Sequence, residues 1–403
     1  MTRSCLLILS ILLLNFSLFA SPAHQEAVDR FVSTSGVPSG SLAIKIIDLK
    51  SKKTLASHNS DIPLTPASIM KAVTTAALYG EAGPNYRYDT KIYVDGPVNM
   101  GVLRGNLIIE GSCDPSLHSR VEPYGNDLVE NIVATLKKLY VNEIEGEIII
   151  DESQFEGPAR PDSWSRGDFN KSYGTGSHAF NFANNSSGDV SVENPQIGFL
   201  NLLKNRLNKE MIMLKGKNLG EGKKRQVNDH FSSPLDEIMR SCMMRSDNLF
   251  AECMLRTYGK LKGADGSTAA AAAIETNLWK NKGYPLQGVN IVDGSGLSRQ
   301  NKVTADFMGA VLTDMSTDAV YASFFPLAGQ EGTLRKFLSG TSLDSYIAMK
   351  TGSMTGIQCY AGYKLDDDYV PTHVVVIIMN DIPGDRDKVK KAAEKMLLEI
   401  FKQ

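Results

Sequence analysis

The chain has 403 residues, a formal net charge of −2 and no long run of charges of one sign. This length accommodates two domains or one elaborated domain, with ample surface to bury. The near balance of charge argues against nucleic acid as the main partner, because nucleic-acid-binding domains present clustered basic residues. The six histidines include no pair at the spacing of a helical zinc signature, so we expect no metal and no other cofactor.

The N-terminal segment, residues 1–23, has the features of a signal peptide for export. Arg3 supplies a positive charge, residues 6–14 form a short apolar core, and Ala20 and Ala23 are small residues at which cleavage would occur. A membrane anchor is the alternative interpretation, but this apolar core is too short to span a bilayer. We therefore predict a periplasmic or otherwise extracytoplasmic protein without a transmembrane anchor after cleavage.

Cleavage of the signal peptide would remove Cys5 and leave four cysteines in the mature chain. An even number permits disulfides in an exported protein without imposing them. Two of the four lie on successive predicted helices, too far apart for a bridge if those helices are collinear. We expect buried thiols at all four positions, which are Cys113, Cys242, Cys253 and Cys359.

The first part of the mature chain predicts a helix, a hairpin and a second helix. The first helix covers residues 25–33, and strands at residues 41–49 and 54–57 are joined by a polar turn. The second helix follows Pro66 and ends before Gly80. Its residues are apolar on nearly every side, which is typical of a buried helix.

Ser68 and Lys71 lie one helical turn apart at the start of this second helix. With Thr65 as the N-cap and Pro66 as the first helical residue, Ser68 falls where backbone N–H groups lack intrahelical partners. Residues three apart share a helix face, so the hydroxyl of Ser68 and the amine of Lys71 are expected to touch. Burial lowers the pKa of an amine, which would let Lys71 act as a base for Ser68. Such a serine–lysine spacing also arises by chance about once in a chain of this size.

Residues 84–232 differ in sequence pattern from the segment before them, because their predicted strands and loops are interrupted by glycines. The interval between Lys71 and Ser246 is far longer than one connection needs, which indicates a separately folded insertion. His178 in this region is expected to be structural, since no carboxylate or second histidine is placed to orient it. The elements predicted for the insertion are strands at residues 86–94, 102–110 and 147–151 and an amphipathic helix at residues 127–140.

The chain after the insertion predicts two helices that flank the turn Ser246-Asp247-Asn248. The first begins with Ser233 as a capping residue and Pro234 as its first residue, and the second ends at Gly259. A Ser-Asp-Asn sequence before an apolar run is ordinary N-capping chemistry, so capping and catalysis both remain open for this turn.

The remaining elements alternate between helices and strands. A run at residues 373–379 is almost continuously apolar, which suits a central strand. The last helix is amphipathic and is expected to pack against the sheet, with a membrane-surface anchor as the alternative. The other predicted elements are a helix at residues 267–280, a segment at residues 289–292 that leads into a glycine-rich turn, a helix capped by Thr304, and strands at residues 346–349 and 358–364.

Three short motifs occur in order on a helix, an inter-helix turn and a strand: Ser68-x-x-Lys71, Ser246-Asp247-Asn248 and Lys350-Thr351-Gly352. Class A β-lactamases and penicillin-binding proteins carry the same trio. The chain resembles the penicillin-binding D-alanyl-D-alanine carboxypeptidases, most closely their class C low-molecular-mass group, the carboxypeptidase/endopeptidases. Further segments that resemble this group are residues 111–115, 293–298, 327–334 and 361–363.

The resemblance implies an α+β fold of the β-lactamase/transpeptidase type. Its catalytic domain would contain an antiparallel sheet of about five strands with helices on both faces, formed by residues 24–83 and 233–403 together. Residues 84–232 would form one or more inserted domains, shorter than is usual for the group. Two strands are predicted before the Ser68 helix and three after it, so distant parts of the chain must share one sheet.

The resemblance also implies a hydrolase that acts on peptidoglycan stem peptides of the cell wall. Ser68 would attack the carbonyl between two D-alanines while neutral Lys71 takes its proton, and water would hydrolyse the acyl-enzyme. Ser246 would relay a proton to the leaving amine. Asn248 would hold either the substrate amide or Lys71, because its side chain both donates and accepts hydrogen bonds.

The third motif is implied to bind the end of the substrate. Lys350 and the hydroxyls of Thr351 and Ser353 suit the terminal carboxylate of a carboxypeptidase substrate. Gly352 belongs to the same substrate-binding segment. The backbone N–H groups of Ser68 and Ser353 would form the oxyanion hole. Penicillins and other β-lactams would acylate Ser68 as covalent inhibitors.

Two alternatives remain on sequence grounds. A β-lactamase uses the same trio but needs a group that activates water for rapid deacylation, and the sequence offers no convincing counterpart of the class A glutamate. A non-catalytic peptidoglycan-binding protein would keep the fold with an inactive site. Carboxypeptidase activity, with or without D,D-endopeptidase activity, is the function that the intact trio favours.

Overall fold

The computed structural model describes residues 22–121 and 127–402. The predicted signal peptide, with Cys5, therefore lies almost entirely outside the described residues. The α-helices of the described part are α1 (Pro22–Thr34), α2 (Met70–Ala82), α3 (Leu128–Lys138), α4 (Pro195–Lys209), α5 (Leu235–Arg245), α6 (Asn248–Leu261), α7 (Thr268–Asn281), α8 (Ala305–Met315), α9 (Ala319–Ala322) and α10 (Arg386–Ile400). The strands are β1 (Leu42–Asp48), β2 (Lys53–His58), β3 (Asp89–Val94), β4 (Val98–Asn99), β5 (Val102–Leu103), β6 (Leu107–Glu110), β7 (Glu143–Ile144), β8 (Ile148–Asp151), β9 (Ser186–Ser187), β10 (Val190–Ser191), β11 (Met213–Leu214), β12 (Arg225–Phe231), β13 (Ile347–Met354), β14 (Ile357–Leu365) and β15 (Pro371–Met379).

The main sheet has five antiparallel strands in the order β13-β14-β15-β1-β2. Two of its strands precede helix α2 in sequence and three follow the insertion, so the predicted arrangement of the sheet is confirmed. Strand β15 occupies the centre, as its apolar sequence indicated. Strand β13, which contains the Lys-Thr-Gly motif, lies at an edge: β14 is its neighbour in the sheet, and a single bridge joins Ala348 to Leu327 on the other side.

Helices cover both faces of this sheet, and the side chains of β15 show why. Val374, Val376 and Ile378 face the core formed with α2, α5, α6, α7 and α8. Val375, Ile377 and Met379 face the opposite core, formed with α1 and α10. This two-residue alternation follows from strand geometry and lets one apolar strand serve two cores.

The terminal helix α10 packs against the sheet, as expected from its apolar stripe. Val389, Ala393 and Met396 are buried in the core that it shares with α1. That stripe is therefore covered by protein, which argues against the membrane-surface alternative. Within the described residues, no helix has both the length and the apolar character needed to cross a bilayer.

The insertion contains two four-stranded sheets around a separate core. Their strand orders are β12-β3-β6-β8 and β11-β7-β5-β4. The single strand predicted at residues 102–110 is wrong, because β5 and β6 belong to different sheets. The chain bends between them where a Cβ on Gly105 would lie 2.6 Å from the backbone nitrogen of Gly96. Helix α4 and strand β12 were not predicted, and the domain boundaries themselves remain a prediction.

Several predicted helix ends are wrong because side chains found tertiary partners instead of local ones. Thr65 does not cap α2; its hydroxyl accepts a hydrogen bond from Lys302 Nζ at 2.7 Å. Ser233 does not cap α5, since its hydroxyl donates to the backbone oxygen of Val121 at 2.9 Å. The predicted ends of α2 and α6, at Gly80 and Gly259, are also wrong. Both helices continue through these glycines, α2 to Ala82 and α6 to Leu261.

The predicted thiols are confirmed. All four cysteines within the described residues are free and buried. Cys242 and Cys359 border the core on the α2 face of the main sheet, whereas Cys113 and Cys253 pack together where the insertion meets α6. Burial raises the pKa of Cys242 and of Cys359 to about 12, which keeps these thiols protonated and unreactive.

Glu275 of α7 makes the stability of the fold dependent on pH. Both its carboxyl oxygens are buried without a hydrogen-bond partner in the described part of the chain. Burial, with Glu252 and Asp293 nearby, raises its pKa from 4.5 to about 8. Between these two pKa values, the folded state binds a proton that the unfolded chain has released. The contribution of Glu275 to the unfolding free energy is therefore complete below pH 4.5 and is lost as the pH rises through about 8.

We expect Glu275→Gln, which does not titrate, to flatten that dependence. Relative to the variant, the wild-type protein should lose roughly 4 kcal/mol of unfolding free energy between pH 5 and pH 9. Urea unfolding at several pH values measures this difference directly. Parallel pH profiles for the two proteins would contradict the assignment.

Candidate active site

Ser68 lies in a tight turn that leads into α2. A 3-10 helix spans Ala67–Ile69 and continues directly into α2, with Ala67 in the left-handed region at φ 47°. Two glycines make room for this turn. A Cβ on Gly296 would lie 1.9 Å from the oxygen of Ala67, and one on Gly352 would lie 3.1 Å from the nitrogen of Ser68. The glycine of the third motif thus allows β13 to approach the Ser68 backbone.

Lys71 is completely buried, and its amine contacts three oxygen atoms. The distances from Nζ are 3.0 Å to Ser68 Oγ, 2.6 Å to Asn248 Oδ1 and 2.7 Å to the backbone oxygen of Ser295. Burial lowers the pKa of Lys71 despite nearby acidic groups. A neutral amine has two N–H groups and one lone pair. It can therefore donate to Asn248 and Ser295 while its lone pair faces the hydroxyl of Ser68.

Asn248 is held in one orientation by contacts at both ends of its amide. Its oxygen accepts from Lys71, and its nitrogen donates to the backbone oxygen of Tyr173 at 2.7 Å. Tyr173 belongs to the insertion. The insertion therefore contributes directly to the position of the second motif.

Ser246 ends α5 in the left-handed conformation, with φ 58° and ψ 40°. Its Oγ accepts a hydrogen bond from Lys350 Nζ at 2.8 Å, which leaves its own hydroxyl proton free to be donated elsewhere. Asp247 caps α6 by accepting from the backbone nitrogen of Phe250. Capping and a role in the site therefore belong to different residues of this turn. Asp247 caps the helix, whereas Ser246 and Asn248 face the other motifs.

Lys350 is buried behind Ser246. Its amine donates to Ser246 Oγ and to the backbone oxygen of Thr351. Burial, followed by the nearby Lys71, lowers the pKa of Lys350 well below its usual range. The two lysines therefore disfavour each other's charge, and a bound anion would relieve that repulsion.

Strand β13 presents its free edge beside Ser68. The hydroxyl of Thr351 donates to Thr333 Oγ1 at 2.8 Å, and Ser353 Oγ accepts from Arg386 at 2.5 Å. Neither Thr333 nor Arg386 was singled out from the sequence. The outer edge of β13 is bonded to residues 326–328 at Ile347 and Met349, so only its later part, beside Ser68, is available to an extended peptide.

A cavity of about 460 Å³ brings the motifs together. Ser68 lines it from the turn before α2, and Ser246 and Asn248 line it from the turn between α5 and α6. Ser353 lines it from β13. Its other lining residues are Ser165, Asp168, Tyr173, Gly296, Leu297, Arg299, Met354 and Thr355. The cavity is open to solvent and extends along the edge of the sheet, a shape that suits a peptide.

A layer of buried acids beneath Lys71 was missed by the sequence analysis. Glu252 accepts from the backbone nitrogens of Gly294 at 3.2 Å and Ser295 at 2.8 Å. These bonds fix the loop whose Ser295 backbone oxygen accepts a hydrogen bond from Lys71. Asp293 in turn accepts from the indole of Trp164 at 2.9 Å, which ties the insertion to the same loop. The segment at residues 293–298 was noted only as a resemblance to the family.

His178 lies outside this site. Its backbone nitrogen donates to Asn181 Oδ1, and burial lowers the pKa of its imidazole. Within residues 22–121 and 127–402, no group of three or more His, Cys, Asp or Glu side chains is placed to hold a metal ion.

The sequence matches the profile of one protein family, described as the D-Ala-D-Ala carboxypeptidase 3 (S13) family, over residues 24–188 and 181–400. The D-alanyl-D-alanine carboxypeptidase DacB of Haemophilus influenzae is 23% identical over 89% of this chain and 90% of that protein. The Carboxypeptidase Rv3627c of Mycobacterium tuberculosis is 24% identical over 81% of this chain and 74% of its own length.

Solved structures show the same fold. The structure of penicillin binding protein 4 (dacB) from Haemophilus influenzae superposes with a TM-score of 0.79 at 20% identity, covering 92% of this chain and 98% of that one. Bd3459, described as a predatory peptidoglycan endopeptidase from Bdellovibrio bacteriovorus, gives 0.56 at 17% identity, covering 89% and 91%. The predicted α+β, transpeptidase-like fold is confirmed.

Proposed function

Because this chain belongs to the D-Ala-D-Ala carboxypeptidase 3 (S13) family, we propose that Ser68 is the nucleophile with which it cleaves peptidoglycan stem peptides. The enzyme is a hydrolase of the serine-type D-Ala-D-Ala carboxypeptidases. One observation carries the assignment of the nucleophile: the buried amine of Lys71 lies 3.0 Å from Ser68 Oγ, with both its N–H groups engaged elsewhere.

Acylation follows from this geometry. Lys71 accepts the hydroxyl proton of Ser68 as Oγ bonds to the carbonyl carbon between the two D-alanines. Backbone N–H groups of Ser68 and Ser353 stabilise the oxygen as it becomes negative, a contribution worth about 3 to 4 kcal/mol in comparable sites. The positive end of the helix at Ser68 favours the same charge.

Release of the terminal D-alanine requires a proton on its nitrogen. Ser246 holds a hydroxyl proton that it does not use towards Lys350, so it donates this proton as the carbon–nitrogen bond breaks. Lys350, placed behind Ser246 and protonated when the substrate carboxylate is bound, returns a proton to Ser246. Water then attacks the acyl-enzyme, Lys71 gives back to Ser68 Oγ the proton that it took, and the proton released by water restores Lys350.

Strand β13 binds the substrate in an extended conformation along its free edge. Thr351 and Ser353 are near the end of that edge, where the terminal carboxylate would lie. Gly352 leaves the space that lets substrate and strand approach the Ser68 backbone. β-Lactams, whose ring carbonyl replaces the scissile peptide, acylate the same Ser68 and inhibit the enzyme.

The enzyme acts outside the cytoplasm. Its peptidoglycan substrate lies there, and the N-terminal sequence has the pattern of a cleaved signal peptide. Two alternatives from the sequence, a β-lactamase and a non-catalytic binding protein, are not favoured by the family to which the chain belongs.

The test is the release of D-alanine from a peptide that ends in D-Ala-D-Ala. We expect the wild-type protein to release D-alanine and to form a covalent adduct with a fluorescent penicillin, and we expect Ser68→Ala to do neither. Removing the only nucleophile should lower the rate by at least about a thousandfold. An adduct on the Ser68→Ala variant would place the nucleophile elsewhere. Rapid penicillin turnover by the wild-type protein would instead favour the β-lactamase alternative.

A further inference from the structure

A second cavity of about 400 Å³ lies next to the catalytic cleft, between the insertion and the turn that joins α5 to α6. Tyr173, Ser246 and Asn248 line both cavities, so the two spaces are adjacent. Both spaces are open to solvent, so a ligand that occupies the cleft at Ser246 can reach the second cavity along the protein surface.

Two arginines line this second cavity from opposite sides. Arg120 comes from the insertion, and Arg245 is the last residue of α5. Both are exposed, and in the described part of the chain neither guanidinium has an ion pair or hydrogen bond. By contrast, Arg240 on the same helix is paired with Glu331 at 3.0 Å. Two unpaired cations facing one polar cavity indicate a site for an anion.

The acid in the cavity wall offsets only part of this charge. Asp247 also lines the cavity, and its two oxygens already accept from the backbone of Phe250 and the side chain of Asn184. With two arginines and one aspartate, the described lining residues carry a net positive charge, and guanidinium groups bind carboxylates with two parallel hydrogen bonds.

The C-terminal carboxylate of the substrate is not the group that this cavity would hold. Under the proposed function, that carboxylate lies along β13 near Thr351 and Ser353, and neither residue lines the second cavity. A ligand here must be a different carboxylate of the substrate, farther along the peptide from the scissile bond.

We infer that Arg120 and Arg245 form a subsite for a second carboxylate of the stem peptide, outside the terminal D-Ala-D-Ala backbone. This inference rests on the proposed function and adds a selectivity for acidic substrates. The carboxylate belongs either to the acyl-donor part, which stays on Ser68, or to the leaving part, which passes Ser246. Both sources offer the same chemistry to the arginines.

Two matched pairs of synthetic peptides separate these sources. The first pair is acetyl-Glu-Lys(acetyl)-D-Ala-D-Ala and its Gln analogue, which differ by one charge on the donor part. The second pair is diacetyl-Lys-D-Ala-D-Glu and its D-Gln analogue, which differ by one charge on the leaving part. We expect the acidic member of one pair to have the higher kcat/KM by about tenfold, the size of one charge-assisted contact.

Arg120→Gln and Arg245→Gln should each bring that ratio towards one, without changing kcat/KM for the amide peptides or the rate of penicillin acylation. Arg104→Gln, at an exposed position in the insertion, is the matched control and should keep the wild-type ratio. The preference should also weaken at high salt, because the arginines are exposed. A ratio near one for both pairs in the wild-type protein, or a ratio unchanged in both arginine variants, would overturn the subsite.

Equilibrium binding of the same peptides to Ser68→Ala keeps this inference separate from the proposed function. A charge preference in binding that disappears with either arginine substitution supports the subsite even if the wild-type protein hydrolyses no peptide. Hydrolysis without any charge preference in kcat/KM or in binding would leave the proposed function intact and exclude the subsite.

Discussion

Replacing Lys71 by methionine is expected to slow the acylation of Ser68 at least about a thousandfold, whether the acyl donor is a penicillin or a D-Ala-D-Ala peptide. Methionine has nearly the length of lysine but cannot accept a proton. Lys71→Arg should fail as well, because a guanidinium stays charged in proteins and has no lone pair to offer. A base is therefore what both variants lack.

The measurement is the single-turnover rate of adduct formation with a fluorescent penicillin. Lys45→Met is the matched control, since Lys45 is partly buried and paired with Asp306 at 2.8 Å but lies away from the cleft. It should retain nearly the full rate. Thermal unfolding of each variant checks that lost activity is not lost structure, because Lys71→Met leaves the oxygens of Asn248 and Ser295 without their donor.

The pH dependence of the same rate gives an independent test. Only the neutral amine can take the proton of Ser68, so acylation should rise with pH through the pKa of Lys71 and then level off. Since burial lowers that pKa, the plateau should begin below the ordinary lysine value of 10.5. A Lys71→Met protein that acylates at the wild-type rate, or a profile that rises only near pH 10.5, would contradict the assignment.

Contacts between residues close in sequence could be predicted, whereas contacts between residues far apart in sequence mostly could not. The Ser68 and Lys71 pair is separated by one helical turn, so helix geometry predicted its contact, although the turn at Ala67 is tighter than an ordinary α-helix. The strand pattern of the main sheet was also predictable, since β15 buries both faces. Lys71 is 177 residues from Asn248 and 224 residues from Ser295 in sequence. Only the family resemblance predicted its contact with Asn248.

Features that depend on burial of polar groups were not predictable. Ser233 and Thr65 have the composition of helix caps, yet both bind distant partners in the folded chain. Glu252 and Glu275 lie on helices at positions where sequence suggests exposed acids, but both are fully buried. Nothing in hydrophobic periodicity marks an acid as buried, because its partners come from other parts of the chain.

Asp293 is the residue whose removal should cost the fold most. Its fully buried carboxylate accepts four hydrogen bonds, from the indole of Trp164 at 2.9 Å, the backbone of Gly296 at 2.8 Å and Ser298 at 2.7 Å, and the amide of Asn301 at 2.7 Å. Asp293→Ala would leave four donors unsatisfied in the interior. We expect a loss of about 3 to 5 kcal/mol of unfolding free energy, reduced somewhat by relief of the repulsion with Glu252.

The acylation rate of Asp293→Ala should fall along with its stability. Asp293 and Glu252 fix the loop whose Ser295 backbone oxygen accepts a hydrogen bond from Lys71. Trp164→Phe removes one of the four bonds and should cost about 1 to 2 kcal/mol, while the site stays assembled. Asp61→Ala, at an exposed acid, is the control and should change neither stability nor rate. Urea unfolding and penicillin acylation on the same samples give both quantities. An Asp293→Ala protein with the wild-type urea midpoint would show that this loop is held by other contacts.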